Sequence, residues 1–191
     1  MVEYREDVQV DLADWLRRYG VYVAAVVVIG IMALLAWQGF VTYQRRQFVQ
    51  ASKVYEALQP EQGEGINQDE LQQTAQRLMQ DYPKSPYTIL AAWQLAASEL
   101  DAGRMQQAQP LLQWSLEHVV NIEMHALTQL RLAQLELALG HADKALALLD
   151  KAPAASFATA YAELKGDALV AAGKPAQAKE AYQAALAGMP N

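Results

Sequence analysis

Polarity changes abruptly near the start of the chain. After an opening stretch of mostly acidic and polar residues, Val21–Phe40 (VYVAAVVVIGIMALLAWQGF) runs for twenty residues without a charge, Tyr22 and Gln38 being its most polar members. An α-helix rises about 1.5 Å per residue, so such a run matches the roughly 30 Å hydrocarbon core of a bilayer. The pattern predicts one membrane span. Trp15, Arg17, Arg18 and Tyr19 stand before it, and Trp37, Phe40, Tyr43, Arg45 and Arg46 close it. Basic and aromatic girdles of this kind mark the two membrane–water interfaces. A cleaved signal peptide is not expected. The run is longer than a signal's apolar core, the start is acidic, and bulky residues occupy the places where cleavage needs small ones.

Helical spacing continues past the span. Phe48, Ala51, Val54, Tyr55 and Leu58 form one stripe, which predicts a helical stalk leading away from the membrane. Gln59–Gln68 (QPEQGEGINQ) then loses all apolar period and carries Pro60, Gly63 and Gly65, so it reads as a loop. Asn67 with Glu70 suggests a capping pair for the next helix, which runs to about Asp81 and stops at Tyr82 and Pro83. Ser85 as N-cap and Pro86 at the first helical position restart it.

Beyond Pro86 the chain repeats. Aligned on Gly103, Gly140 and Gly173, at spacings of 37 and 33 residues, three segments place an alanine five residues after each glycine and a large apolar residue nine after. Those residues are Ala108, Ala145 and Ala178, then Leu112, Leu149 and Tyr182. A period near 34 residues of helix, glycine turn and helix is the tetratricopeptide-type unit. Glycine ends the first helix in a left-handed cap, and small residues let the two antiparallel helices approach. The expected fold class is therefore all-α: one N-terminal transmembrane helix followed by a short tetratricopeptide-like repeat array. The expected division is a cytoplasmic tail over 1–20, the span over 21–43, stalk and loop over 44–67 and the repeat domain over 68–191, with repeats at 85–119, 125–153 and 157–190.

Composition narrows what such a domain can do. Beyond the span there are 12 Lys and Arg against 16 Asp and Glu, so no basic surface for nucleic acid is expected. The chain has no cysteine, which excludes disulfides, thiolate nucleophiles and cysteine–zinc sites. His118, His125 and His141 show no metal spacing, and no phosphate loop, GxSxG elbow or HExxH pair occurs. Acidic neighbours such as Asp69 with Glu70 and Glu99 with Asp101 sit beside turns, where they serve as caps and solvated faces. No cofactor, no metal and no enzymatic reaction are expected. Orientation is not fixed by charge alone, because Arg5, Arg17 and Arg18 on one side balance Arg45, Arg46 and Lys53 on the other. A long domain translocates largely regardless of its charge, which favours tail in and domain out.

A surface for other proteins remains. In the repeat register, the first helices present Leu90, Trp93, Ala97 and Leu100, then Leu127, Leu130 and Gln134, then Glu163, Asp167 and Val170 toward the inner face of the array. An apolar part grading into an acidic edge suits a peptide with basic and apolar residues. The same stripe fits a second reading, in which Trp93, Leu127 and Leu130 belong to the core or are covered by the helix around Val54–Leu58.

The chain resembles the YfgM-type ancillary subunits of the bacterial SecYEG translocon. The likeness rests on the tail with Tyr4, Gln9 and Val10, on WLRRYG from Trp15 to Gly20, on a span containing Gly30 and Trp37, and on the last unit from Phe157 to Leu186. It implies a single-pass inner-membrane protein with a cytoplasmic N-terminus and a periplasmic repeat domain. It also implies a scaffold that joins the translocon to periplasmic chaperones, PpiD in particular. The sequence ends at Asn191, so contacts made by the longer C-terminal tail of some members are not expected. YPKSPY, Tyr82–Tyr87, also resembles periplasmic helical-repeat scaffolds of envelope assembly and cell division, and the alternative reading is a periplasmic helical-repeat scaffold for envelope assembly, cell division or stress signalling. Span self-association through Gly30, Ala33, Ala36 and Gly39 is a third.

Overall fold

The structure, a computed structural model, describes residues 6–58, 67–150 and 154–188, with side chains from Trp15 onward except at position 16. Most of the loop expected over 59–68, and the last two positions of the repeat expected over 157–190, lie outside the described residues. The chain divides into two compact units that meet between Arg46 and Gln47.

The first unit consists of the helix α1, Glu6–Glu56, up to Arg46. From Val21 to Phe40 every side chain is exposed, Leu34 to 68 %. A core helix of a water-soluble protein would be covered on at least one face. Among the described residues α1 is the one helix long and apolar enough to cross a membrane. Its main-chain polar groups are satisfied within the helix, as a hydrocarbon environment demands. Between the two arginine pairs, from Arg18 to Arg45, the helix covers about 40 Å, the thickness of a bilayer with its headgroup regions.

The second unit starts with the end of α1 and continues through α2 (Gln68–Asp81), α3 (Pro86–Asp101), α4 (Met105–His118), α5 (Ile122–Ala138), α6 (Ala142–Leu148), a 3-10 turn at Ala155–Phe157, α7 (Ala158–Ala171) and α8 (Pro175–Ala187). No strand occurs among the described residues. The unit is a row of helical hairpins. Each helix from α2 onward packs on the next, and α5 also packs on α7, so the first helices of these two hairpins lie side by side.

The chain marks its own helix starts and stops. Asn67, Ser85 and Asn121 each accept a hydrogen bond from the main chain of the first turn of α2, α3 and α5, and Pro86 opens α3 where its missing N–H costs nothing. The Asn67 bond comes from the Asp69 N–H at 3.0 Å, one residue short of the Glu70 spacing read from the sequence. Gly103, Gly140 and Gly173 adopt φ of +75°, +80° and +71°. At each, the glycine N–H bonds the carbonyl three residues back, and the next N–H bonds the carbonyl five back, at 2.8 Å in all three turns (Arg104 to Glu99, His141 to Glu136, Lys174 to Leu169). This is the Schellman arrangement, and it reverses the chain within three residues. A Cβ at any of the three glycines would meet nothing, so the backbone angle, not space, demands glycine there. Gly166 is the opposite case. Its φ is ordinary for a helix, but a Cβ would collide with the Tyr182 ring, so this glycine lets α7 and α8 touch.

Three apolar clusters run along the row. Ala51 and Leu58 from the first stretch of this unit pack with Leu71, Ala75 and Leu78 of α2 and with Ala91 and Leu95 of α3. Trp93 and Ile89 lead the second cluster with Leu112, Leu132 and Leu135. Leu130, Ala133, Leu149, Tyr161 and Leu164 form the third. The single proton of the Tyr161 hydroxyl is shared between Gln129 Oε1 (2.8 Å) and the Ala126 carbonyl (3.1 Å), tying α7 to α5.

Candidate partner-binding groove

Where α5 meets α7 the interval is filled by Tyr161 and Leu164. The interval between α3 and α5 is filled less completely, because small residues stand there. Ala96, Ala97 and Ala138 leave a cavity of about 340 Å³, closed at its sides by Trp93, Leu100, Met105, Leu112, Arg131, Gln134 and Leu135. Its rim is apolar and wet: Leu100 and Met105 are 37 % and 39 % exposed. The Arg131 guanidinium carbon lies 4.2 Å from the centre of the Trp93 ring, within cation–π range. Trp93 is buried, and its indole N–H has no hydrogen-bond partner among the described residues.

A second cavity of about 520 Å³ lies between α2 and α3, lined by Gln68, Leu71, Gln94, Ala97, Ser98, Asp101 and Ala102. Ala97 borders both. Gln68 Nε2 donates to Ser98 Oγ across it at 2.5 Å, and the buried Gln94 Oε1 accepts from no described residue. Buried polar atoms are nearly always paired, so an orphan donor on Trp93 and an orphan acceptor on the next residue set this stretch of α3 apart.

The residues expected on the inner face separate into three groups. Trp93, Ala97, Leu100 and Gln134 are brought together around the first cavity. Leu90 and Leu127 are half-buried against the Trp93 cluster, and Leu130 is buried in the next cluster against α7. Glu163, Asp167 and Val170 are exposed on α7 and line neither cavity; Asp167 accepts from the Tyr182 hydroxyl at 2.7 Å. The stretch Val54–Leu58 packs against α2 and α3 in the first cluster and not over Trp93 or Leu130. In the first unit, Trp15, Arg17, Arg18, Tyr19, Trp37, Tyr43, Arg45 and Arg46 are all exposed.

Residues 13–191 match the family described as tetratricopeptide repeat-like domain, a match that takes in both the apolar helix and the hairpins. The chain is 33 % identical over 163 residues to an ancillary SecYEG translocon subunit of Neisseria gonorrhoeae, an alignment covering 84 % of this chain and 78 % of the relative. Proteins of the same name from Haemophilus influenzae (27 % over 176 residues, 91 % and 84 % covered) and Escherichia coli (28 % over 167 residues, 87 % and 80 % covered) are also similar. The chain belongs to the ancillary SecYEG translocon subunit family.

Within this chain, sequence reading singles out Trp93 but not its neighbour in space, Arg131. A signal was present. Leu127, Arg131 and Leu135 follow one another at single-turn spacing on α5, which sets one cation inside an apolar row. Met105 was missed because it opens α4, a second helix of its hairpin, whereas the inner face was assigned to first helices alone.

Proposed function

We propose that this chain is a single-pass inner-membrane scaffold that accompanies the SecYEG translocon and joins it to periplasmic chaperones such as PpiD during protein export, with no reaction of its own. The observation that carries the reading is family membership that extends over the apolar helix as well as the repeat hairpins. A scaffold needs both parts. Residues 1–20 form the cytoplasmic tail, 21–43 the span, 44–67 the lead into the domain and 68–191 the periplasmic repeat array. The orientation follows from the paired arginines Arg17 and Arg18 holding a short tail inside while a long domain crosses. The inner side of the array, around Trp93, Leu100 and Gln134, is its partner-binding surface, because concave repeat faces are where such arrays take extended ligands.

The test is site-specific photocrosslinking of the intact protein in inner membranes, with the crosslinker at Tyr22 or Trp37 in the span and at Trp93 in the domain. Translocon subunits captured from the span positions and a periplasmic chaperone from Trp93 support the reading. Capture of envelope-assembly or division proteins alone overturns it.

A further inference from the structure

The groove between α3 and α5 holds a charge that no described residue neutralises. Arg131 lines it, stacked near Trp93 and flanked by Leu100, Met105 and Leu135. Among the described residues no carboxylate pairs with it. The acids closest along the helices are engaged elsewhere: Glu99 holds Arg104, and Glu136 is held by Gln109, His141 and Lys144. Asp101 borders the other cavity. Burial pushes the Arg131 pKa below its ordinary value, as an apolar setting without a nearby acid would. A guanidinium held at a ring face still offers its fork of N–H donors to a carboxylate, and a partly desolvated one gains more from it than a cation in water.

An apolar hollow with one unanswered cation at its wall selects its occupant by charge as well as shape. We propose that this groove docks a segment of a partner protein in which an apolar side chain, Leu, Met or Phe, enters the alanine-floored cavity while an adjacent Asp or Glu pairs with Arg131. The proposal rests on the reading of the domain as a protein-binding module and specifies the chemistry it recognises. That chemistry differs from the basic partner suggested by Glu163 and Asp167, which line neither cavity.

The experiment uses the full chain in lipid nanodiscs and three labelled peptides of one Leu-rich sequence, both ends blocked, that differ only in carrying Glu, Gln or Lys beside the leucines. The Glu peptide should bind about tenfold or more tightly than the Gln and Lys peptides. Arg131→Glu should invert the order, and Arg131→Lys should preserve it. Equal affinity for the three, an unchanged order in Arg131→Glu, or no binding of the Glu peptide overturns the proposal. So does binding that requires unblocking the C-terminus, which would assign Arg131 to a chain terminus instead. Should Arg131→Glu lose its helical circular dichroism, the ranking on the native chain decides alone. Capture of the translocon through the span is read separately, so failure of the groove chemistry and failure of the scaffold reading give different results.

Discussion

His141 and Glu136 are joined twice across one glycine turn: His141 Nδ1 stands 2.7 Å from Glu136 Oε2, and the His141 main-chain N–H donates to the Glu136 carbonyl at 2.8 Å. The preceding hairpin repeats the relationship with Arg104 and Glu99, whose side chains meet at 2.5 Å across Gly103. In the third turn the pair becomes Lys174 and Leu169, and only the main-chain bond remains. The side-chain clasp is thus an addition to a turn that the glycine and the backbone already specify.

Glu136 is 2 % exposed, which makes its clasp the one with most at stake. Burial pushes its carboxyl up, yet hydrogen bonds from His141 and Gln109 and the charge of Lys144 outweigh burial and hold its pKa below the usual carboxylate value. A depressed carboxyl contributes stability that is present above its unfolded pKa and lost as pH falls through the folded one. Thermal unfolding followed on acidification should therefore show a loss of stability below the ordinary carboxylate range. Glu136→Gln should lower the melting temperature at neutral pH, by about 1–3 kcal/mol of stability, and should flatten that acid dependence. An acid profile identical in the variant and the native chain would assign the sensitivity to other groups.

Two glycines should respond to alanine for different reasons. Gly140→Ala strains a backbone at φ +80° without any clash, so a cost of about 1 kcal/mol is expected whatever the neighbours are. Gly166→Ala drives a methyl into the Tyr182 ring and should cost about 1–3 kcal/mol. Trimming Tyr182 to Leu should relieve the second and leave the first unchanged. A double-mutant cycle by chemical denaturation checks this, with strong coupling expected for Gly166 and Tyr182 and none for Gly140 and Tyr182.

The turns and caps were legible in the sequence because they depend on residue type at one position. Only glycine suits φ near +75°, and Ser85 followed by Pro86 announces a helix start wherever it stands. The span was legible for a similar reason, since an uncharged run of that length has few other uses. Depth within the domain was not. Trp93 and Leu130 hold equivalent positions on α3 and α5, each ten residues before the turn glycine of its hairpin, and period alone gives the face without saying what covers it. Leu130 is buried because Tyr161 and Leu164 of the next hairpin come down on α5, whereas Trp93 borders a cavity because alanines stand beside it. The Arg131 contact with Trp93 joins two hairpins and depends on how one is staggered against the next, which no local pattern records.

The buried hydroxyl of Tyr161 offers a spectroscopic check on the α5–α7 junction. Burial pushes its pKa up to about 12, so its phenolate should appear late in an alkaline absorbance titration of the folded chain. A raised tyrosine pKa contributes stability that is full below the unfolded value and is lost as pH rises through the folded one. Tyr161→Phe should remove this late-titrating component. It leaves the second bond of the Gln129 amide group, to the Leu148 carbonyl at 3.1 Å, in place but takes the donor from Gln129 Oε1, at a cost of about 1–2 kcal/mol.

Leu100 and Leu130 both lie on first helices and were both expected on the inner face, but they should separate under the same substitution. Leu130 is 8 % exposed and packed against α7, so Leu130→Asp places a charge in a core and should unfold the second and third hairpins. Leu100 is 37 % exposed at the rim of the groove, and Leu100→Asp should change the melting temperature little. It should still weaken capture of any partner at the groove, because the new carboxylate on α3 lines the same cavity as Arg131 of α5 and competes for its guanidinium. Limited proteolysis and circular dichroism of the two variants separate the cases. A folded Leu130→Asp, or an unfolded Leu100→Asp, would mean that the boundary between core and groove runs elsewhere along α3 and α5.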